Sequence, residues 1–300
     1  MSTADKIKEL CRQKNAIVLA HIYQNPEVQD IADFVGDSLD LSRKAANNEA
    51  DIIIFCGVKF MAETAAILSP QKKVLLPDLK ADCPMAQMIS AKELREKKKE
   101  HPKAAVVCYV NSTAEVKAES DICCTSSNAV KVVKSLKEKE ILFVPDQSLG
   151  YYVSTQVPDK KFIFWPGFCP THHRIIVAQI ENIKKEHPDA KFAAHPECTK
   201  DVLKLADFIG STGQIIRHMK ENKDNKWIIG SENGMIYTLQ KANPDKKFLA
   251  TSELATCPNM KLTSLDKILE VLEKGSNRIV VEEKIAKKAK KSIENMLAVS

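Results

Sequence analysis

Three cysteine–proline pairs stand at nearly equal intervals along a chain of 300 residues. Their cysteines are Cys83, Cys169 and Cys257, which are separated by 86 and 88 residues. Each pair follows a Pro-x-Lys-Lys sequence and a short apolar segment, and these sequences begin at Pro70, Pro158 and Pro244. Thiolates are strong ligands for zinc and for iron–sulfur clusters. One cysteine from each of three repeats therefore predicts three thiolate ligands around one central metal site.

Two kinds of metal centre are compatible with three thiolates. Structural zinc takes four ligands, usually with paired Cys-x-x-Cys spacing that this chain lacks. A zinc site would therefore need His172, which has ligand spacing from Cys169, as its fourth ligand. Electron-transfer iron–sulfur clusters normally have four cysteines. Three would leave one iron open to act as a Lewis acid, which favours dehydration or isomerisation chemistry.

The six other cysteines share no common setting. Four of them lie in or next to apolar segments, where we expect small buried side chains: Cys56, Cys108, Cys123 and Cys124. Cys198 stands in a His-Pro-Glu-Cys sequence near the predicted site, and its role stays open. Cys11 carries no interpretation.

The repeat is wider than the cysteines. An aspartate followed by apolar residues recurs at Asp33, Asp121 and Asp207. Apolar segments that begin at residues 16, 104 and 190 keep the same intervals, and a further set begins near residues 51, 140 and 226. Four landmarks thus agree on a unit of about 87 residues, and a fixed period indicates a repeat architecture. We predict repeat domains at 14–101, 102–187 and 188–275, with terminal segments 1–13 and 276–300 packed on them.

The pattern of each unit predicts the order strand, helix, strand, helix, strand, cysteine loop and helix. The strands are continuous apolar runs such as residues 52–55 and 141–144, which indicates parallel sheets covered on both faces. We predict an α/β fold of three αβα sandwich domains, related by a pseudo-threefold axis around a central active site. The clearest helical patterns fall at residues 91–100, near 179–186 and at 282–297, and the last is amphipathic.

Polar residues stand at the ends of the first strand of every unit. The carboxyl ends of parallel strands are where open sheets bind ligands. We therefore expect the following six side chains to converge: His21, Tyr23, Tyr109, Asn111, His195 and Glu197.

Hydroxyl residues precede a helix in all three units, namely Ser38, Ser126, Ser211 and Thr212. A single serine in that position is usually a helix N-cap. Three in symmetric positions around one centre favour an anion site, because hydroxyls and free N–H groups at helix N-termini bind phosphate or carboxylate.

Composition excludes several other classes of protein. The 45 basic residues are interleaved with 39 acidic ones, and the net charge of +6 is too mild to predict a nucleic-acid partner. No apolar run approaches the roughly 20 residues that a membrane span needs. The first eight residues are polar and lack a secretory core, so we expect a cytoplasmic protein with reduced cysteines.

Longer motifs resemble the quinolinate synthase family. They occupy residues 20–24, 29–38, 60–63, 109–113, 125–129, 169–172, 195–198 and 210–213. The resemblance implies an enzyme of NAD biosynthesis that condenses iminoaspartate with dihydroxyacetone phosphate to quinolinate, phosphate and water. It also implies a [4Fe-4S] cluster held by Cys83, Cys169 and Cys257, with its fourth iron open to substrate.

By resemblance and position, four residues are expected to be catalytic: His21, Tyr23, His195 and Glu197. Tyr23 and Glu197 are the candidates for acid–base steps. The expected substrate-binding residues are His21, Ser38, Tyr109, Asn111, Ser126, His172, His195, Glu197, Ser211 and Thr212. A transient contact with an aspartate-oxidising enzyme would supply the unstable imine.

The chain departs from the family pattern at Ile22, Lys59, His173 and Arg174, which leaves fine substrate contacts open. Two alternatives to the family activity also stay open at this point. One is a different hydro-lyase on the same cluster, and the other is a zinc-stapled protein that binds a ligand without catalysis. Metal analysis separates the second from the enzymes.

Overall fold

The computed structural model describes residues 2–299, and the outermost residues of the two terminal segments, Met1 and Ser300, lie outside this range. The chain forms three units of alternating strands and helices. The first contains α1 (Thr3–Gln13), β1 (Ala16–His21), α2 (Pro26–Ile31), β2 (Phe34–Gly36), α3 (Ser38–Ala46), β3 (Ile52–Cys56), α4 (Lys59–Leu68), β4 (Lys73–Leu75), a 3₁₀ turn (Pro84–Gln87) and α5 (Ala91–Glu100).

The second unit repeats this order. It contains β5 (Ala105–Tyr109), α6 (Ala114–Ala118), β6 (Ile122–Cys124), α7 (Ala129–Ser135), β7 (Glu140–Val144), α8 (Gln147–Gln156), β8 (Lys161–Phe164), α9 (Pro170–His173) and α10 (Val177–Glu186). The third contains β9 (Lys191–Ala194), α11 (Lys200–Leu203), β10 (Phe208–Ile209), α12 (Thr212–Glu221), β11 (Lys226–Gly230), α13 (Gly234–Ala242), β12 (Lys247–Ala250), a 3₁₀ turn (Met260–Leu262) and α14 (Leu265–Lys274), and α15 (Glu283–Val299) ends the chain.

Each unit contributes one four-stranded sheet, and the three sheets have the same topology. Their strand orders are β2-β1-β3-β4, β6-β5-β7-β8 and β10-β9-β11-β12. The strand pairs within these sheets are parallel. The predicted α/β fold with three parallel sheets is therefore confirmed.

The sequence predicted three strands in each unit, and that count was wrong because the structure has four. The additional strand is the edge strand β2, β6 or β10, which has only two or three residues. So short a strand gives no periodicity in sequence. The preceding aspartates fix it: the carboxylates of Asp33, Asp121 and Asp207 accept backbone N–H groups of the first strand at 2.7, 2.8 and 2.8 Å.

The Pro-x-Lys-Lys repeat also has a structural role. Its first lysine reaches back to main-chain carbonyls just after a helix in the same unit. Lys72 donates to Asn48 after α3, Lys160 to Leu136 after α7, and Lys246 to Asn222 after α12. A cation at a helix C-terminus satisfies carbonyl groups that have no partner within the helix. These lysines therefore stabilise the fold on which the cysteine loops are built.

The helix after each cysteine loop packs on the next unit. Helix α5 lies beside α6, Ile180 of α10 packs in the core of the third sheet, and Ile268 and Val271 of α14 pack on the first sheet. This exchange closes the three units into a ring. The predicted domain boundaries stay a prediction, since the packing crosses them.

Helix α15 matches the predicted amphipathic helix, because Ala289, Ile293 and Met296 are buried along one face. It packs against α4, α6, α7 and β6. Within residues 2–299, no helix is both long enough and apolar enough to cross a membrane.

Candidate active site

One cavity gathers residues from all three units, where the strands end. It contains about 620 Å³ of empty space. Thirteen of the fourteen predicted site residues line it: His21, Tyr23, Ser38, Cys83, Tyr109, Asn111, Ser126, Cys169, His172, His195, Glu197, Thr212 and Cys257. Ser211 is the exception. The fold therefore brings together residues that are more than 200 positions apart in sequence.

Two histidines at equivalent strand ends have the same local bond. Nδ1 of His21 accepts the backbone N–H of Tyr23 at 3.2 Å, and Nδ1 of His195 accepts that of Glu197 at 3.3 Å. An imidazole that accepts at Nδ1 carries its proton at Nε2 when neutral. Burial lowers the pKa of His21 to about 4 and also lowers the pKa of His195. His21 is therefore a neutral Nε2–H donor at neutral pH. Nδ1 of His195 also lies 3.3 Å from Oε2 of Glu197, so this nitrogen faces both a donor and an acceptor.

A chain of hydrogen bonds connects Tyr23 to Glu197. The Tyr23 hydroxyl is 2.8 Å from Oγ of Ser231, which is 3.3 Å from Nε2 of His172. Nδ1 of His172 lies 2.8 Å from Oε2 of Glu197. If Nδ1 of a neutral His172 donates to the carboxylate, its Nε2 accepts from Ser231, whose oxygen can accept the tyrosine proton.

Burial and neighbouring charges separate the acids of the cavity. Burial alone would raise the pKa of Glu197, but His172 and His195 outweigh it and hold that pKa well below its usual range. Burial, reinforced by the charge of Glu197, raises the pKa of Tyr23 and of Tyr109 well above 10. Glu197 is thus a carboxylate beside two phenols that keep their protons.

The hydroxyl residues meet where the three units join. Oγ of Ser127 donates to Oδ2 of Asp37 at 2.7 Å and lies 2.6 Å from Oγ of Ser211. Ser211 is the N-cap of α12, where its hydroxyl accepts the N–H of Gln214. This bond and its place outside the cavity lining identify Ser211 as a structural support, and its predicted contact with substrate stays a prediction.

All three repeated cysteines line the cavity, and two of them share the same local structure. Cys83 and Cys169 directly precede a short helix that begins with proline. The thiol of Cys257 hydrogen-bonds to the hydroxyl of Thr171. Burial raises the pKa of Cys83 to about 12 and raises those of Cys169 and Cys257 as well. Buried thiols of this kind become thiolates when a metal cation replaces the proton, so the donor set fits a metal centre.

The geometry also contains a donor group that bears on the zinc alternative. In the described part of the chain, Cys169, His172 and Glu197 form a group whose ligand atoms lie within 4.8 Å of one another. However, Nδ1 of His172 already hydrogen-bonds to Glu197. A fourth ligand from this histidine would require that bond to break.

The other cysteines lie outside the cavity lining. The four that we expected to be buried are fully buried. Cys198 is also buried, and its thiol donates to the carbonyl of Gly230 at 3.3 Å. Cys11 belongs to α1 and lies in the core that α1 shares with α14. All nine cysteines are free thiols.

Four departures from the family pattern also lie outside the lining residues: Ile22, Lys59, His173 and Arg174. His173 instead hydrogen-bonds to Ser148 and stacks on Phe168.

Sequence reasoning missed several residues of the site. Asp37 and Thr171 line the cavity within motifs that were already recognised, next to Ser38 and His172. Ser231 and Glu232 follow β11, the third strand of its unit. The predictions used only the ends of first strands, so extending the same rule to third strands would have found both.

Comparison with known proteins agrees with this arrangement. Residues 5–298 match the model of a family described as quinolinate synthetase A protein. A protein named quinolinate synthase from Alkaliphilus metalliredigens is 54% identical over 98% of this chain and 97% of its own length. Proteins of the same name from Dehalococcoides mccartyi and Aquifex aeolicus are 57% and 49% identical, over 98% of this chain and 97% and 93% of their own lengths. The chain belongs to the quinolinate synthetase A family.

Proposed function

We propose that this chain is a quinolinate synthase of NAD biosynthesis that condenses iminoaspartate with dihydroxyacetone phosphate. The products are quinolinate, inorganic phosphate and two molecules of water. The observation that carries the proposal is the convergence of three cysteines and the chain from Tyr23 to Glu197 on one cavity.

The proposed cofactor is a [4Fe-4S] cluster held by Cys83, Cys169 and Cys257. Three thiolates for four irons would leave one iron open, which would supply Lewis acidity to a substrate hydroxyl or carboxylate during loss of water. All three thiols need a cation to ionise in this buried setting, which supports the assignment.

The carboxylates of the substrate require hydrogen-bond donors. His21 supplies a neutral Nε2–H group, and Nε2 of His195 lies 3.1 Å from Oγ of Ser126. The buried Oδ1 of Asn111 finds no hydrogen-bond partner among residues 2–299. A buried acceptor without a partner is costly, so Asn111 and the adjacent Tyr109 are well suited to hold polar groups of the substrate.

The phosphate of the triose has a complementary surface at the junction of the units. Ser38 and Thr212 are the first residues of α3 and α12, and Ser126 lies beside them in the cavity. The positive end of a helix dipole favours a dianion at such a place. Asp37 also lines the cavity there and already accepts the N–H groups of Leu39 and Asp40. Ser38, Ser126 and Thr212 would therefore hold phosphate until it leaves.

Proton transfer is assigned to the chain that begins at Tyr23. The ionised Glu197 keeps His172 oriented and able to accept a proton, and Ser231 connects His172 to the phenol. A positioned acid or base of this kind contributes roughly 10²–10⁴ in rate. The burial of these groups would also protect an imine from hydrolysis.

Supply of iminoaspartate by an aspartate-oxidising enzyme, and a cytoplasmic location, stay predictions. The imine is unstable in water, which favours transfer from such an enzyme over a short distance.

The test is quinolinate formation by protein purified and assayed without oxygen, with both substrates. We expect quinolinate and phosphate in equal amounts, and a loss of about 10²-fold or more in Glu197→Gln. A protein with a complete cluster that dehydrates another hydroxy acid but forms no quinolinate would favour the hydro-lyase alternative. Zinc in place of iron, with no turnover, would favour the binding protein.

A further inference from the structure

An ion pair beside the cavity has no part in the proposed reaction. Glu232 follows β11 and is completely buried, whereas Lys261 follows Cys257 by four residues and its side chain is 22% exposed. Nζ of Lys261 lies 3.0 Å from Oε1 of Glu232. A buried carboxylate is costly unless it is paired and hydrogen-bonded.

Both oxygens of Glu232 also bind main-chain groups. Oε1 accepts the N–H of Cys257 at 3.0 Å, and Oε2 accepts the N–H of Gly234 at 2.6 Å. Lys261 in turn donates to the main-chain carbonyl of Tyr23. Because Cys257 belongs to the third unit and Tyr23 to the first, one ion pair connects a proposed cluster ligand to the proposed catalytic phenol.

The contact between Gly234, Glu232, Lys261 and Tyr23 is tightly packed. A Cβ atom at Gly234 would lie 2.7 Å from Nζ of Lys261 and 2.8 Å from both Oε2 of Glu232 and the carbonyl oxygen of Tyr23. These distances are too short for real contacts, so only glycine fits at this position. The four groups are therefore in direct contact, and a shift in any of them would move the others.

We propose that Glu232 and Lys261 are positioning residues that fix the main chain of Tyr23 relative to the Cys257 loop. They hold the phenol in place relative to the cysteine-bound centre and do not themselves exchange protons with substrate. A displacement of about 1 Å at a reacting group can cost about 10²-fold in rate. The kinetic part of this inference rests on the proposed function.

The kinetic test uses Lys261→Met, which removes the ammonium group but keeps most of the side-chain stem. We expect kcat to fall about 100-fold, with iron and sulfide per chain and the KM of both substrates nearly unchanged. Lys261→Arg should restore most of kcat, because it can donate to the same oxygens.

Lys241→Met is the matched control. Lys241 pairs with Asp30 at 2.6 Å, on an exposed part of the same contact between the first and third units. The Lys241→Met variant should have the kcat, KM values and metal content of the wild type. Wild-type kcat in Lys261→Met, or an equal loss in Lys241→Met, would overturn the inference.

A second readout does not depend on turnover. Removing the negative charge in Glu232→Gln should raise the reduction potential of the bound cluster, whereas removing the positive charge in Lys261→Met should lower it. Opposite shifts would support the positioning role of Glu232 and Lys261 even if the wild-type protein formed no quinolinate. Absence of quinolinate would contradict only the proposed function. Unchanged reduction potentials in both variants would overturn the inference about Glu232 and Lys261. If Lys261→Met does not fold, Glu232→Gln decides alone: a raised potential with a lower kcat supports the inference, and wild-type values of both overturn it.

Discussion

Burial decides which residues of the cavity carry charge. Glu197 stays ionised because His172 and His195 surround it, whereas Tyr23 and Tyr109 keep their protons. The result is a carboxylate that bonds to His172 and can stabilise a proton taken up by that imidazole. The proposed acid–base role of Tyr23 depends on this asymmetry.

Replacing Tyr23 with Phe removes the hydroxyl that hydrogen-bonds to Ser231 and leaves the ring in place. We expect an unchanged iron content and a loss of about 10²–10⁴ in kcat, measured as quinolinate formed without oxygen. Tyr152→Phe on α8 is the control, because Tyr152 lies outside the cavity lining. Full activity of the Tyr23 variant would remove this residue from the proton pathway.

Replacing Ser126 with Ala tests the phosphate site, and Ser211→Ala tests whether a serine outside the cavity lining also contributes to it. Loss of the Ser126 hydroxyl should raise the KM of the triose phosphate about 10-fold, which corresponds to one hydrogen bond to a charged group. Ser211→Ala also removes an N-cap and should cost about 1 kcal/mol of stability. Cluster content should stay the same in both. Unchanged use of triose phosphate by the two variants would show that the anion binds elsewhere.

At the scale of helices and strands, repeated residues proved to have two kinds of role. The strand-end residues and the cysteines line the cavity as the repeat predicted. The repeated aspartates and the first lysines of the Pro-x-Lys-Lys sequences instead stabilise the units themselves. A repeat identifies positions that each unit needs, but it does not distinguish folding from chemistry.

Asp121→Ala tests the structural role of the repeated aspartates. It leaves the backbone N–H of Val106 without its acceptor, which should cost about 1–3 kcal/mol of unfolding free energy because a buried donor becomes unsatisfied. Asp159→Ala is the control, since its pair with Lys139 is exposed. The midpoints of urea unfolding give the comparison, and equal midpoints would contradict the assigned role.

The sequence predicts a helix or strand of this fold when its hydrophobic pattern extends over enough residues. Helix α5 falls at residues 91–100 as predicted, and the apolar stripe of α15 is buried. The edge strands were missed because two or three residues carry no period. Helix exchange between units was also missed, because it is set by the packing of α5, α10 and α14 and not by their own sequences.

In the molecule as a whole, three similar units create one asymmetric site. Asp37, Ser127 and Ser211 come from different units and meet within hydrogen-bonding distance. The sequence predicted convergence because parallel strands end at the same edge. It could not predict that Ser211 faces this junction and not the cavity, since a spacing fixes the position of a residue but not the direction of its side chain.

The most direct test of the account is the metal content of protein purified without oxygen. The account predicts about four irons and four sulfides per chain, lost or strongly reduced in Cys83→Ser, Cys169→Ser and Cys257→Ser. Cys198→Ser should retain them, because Cys198 is a free thiol that lies outside the cavity lining. About one zinc per chain without sulfide, or an iron content unaffected by the three substitutions, would contradict the claim that three units hold one cluster.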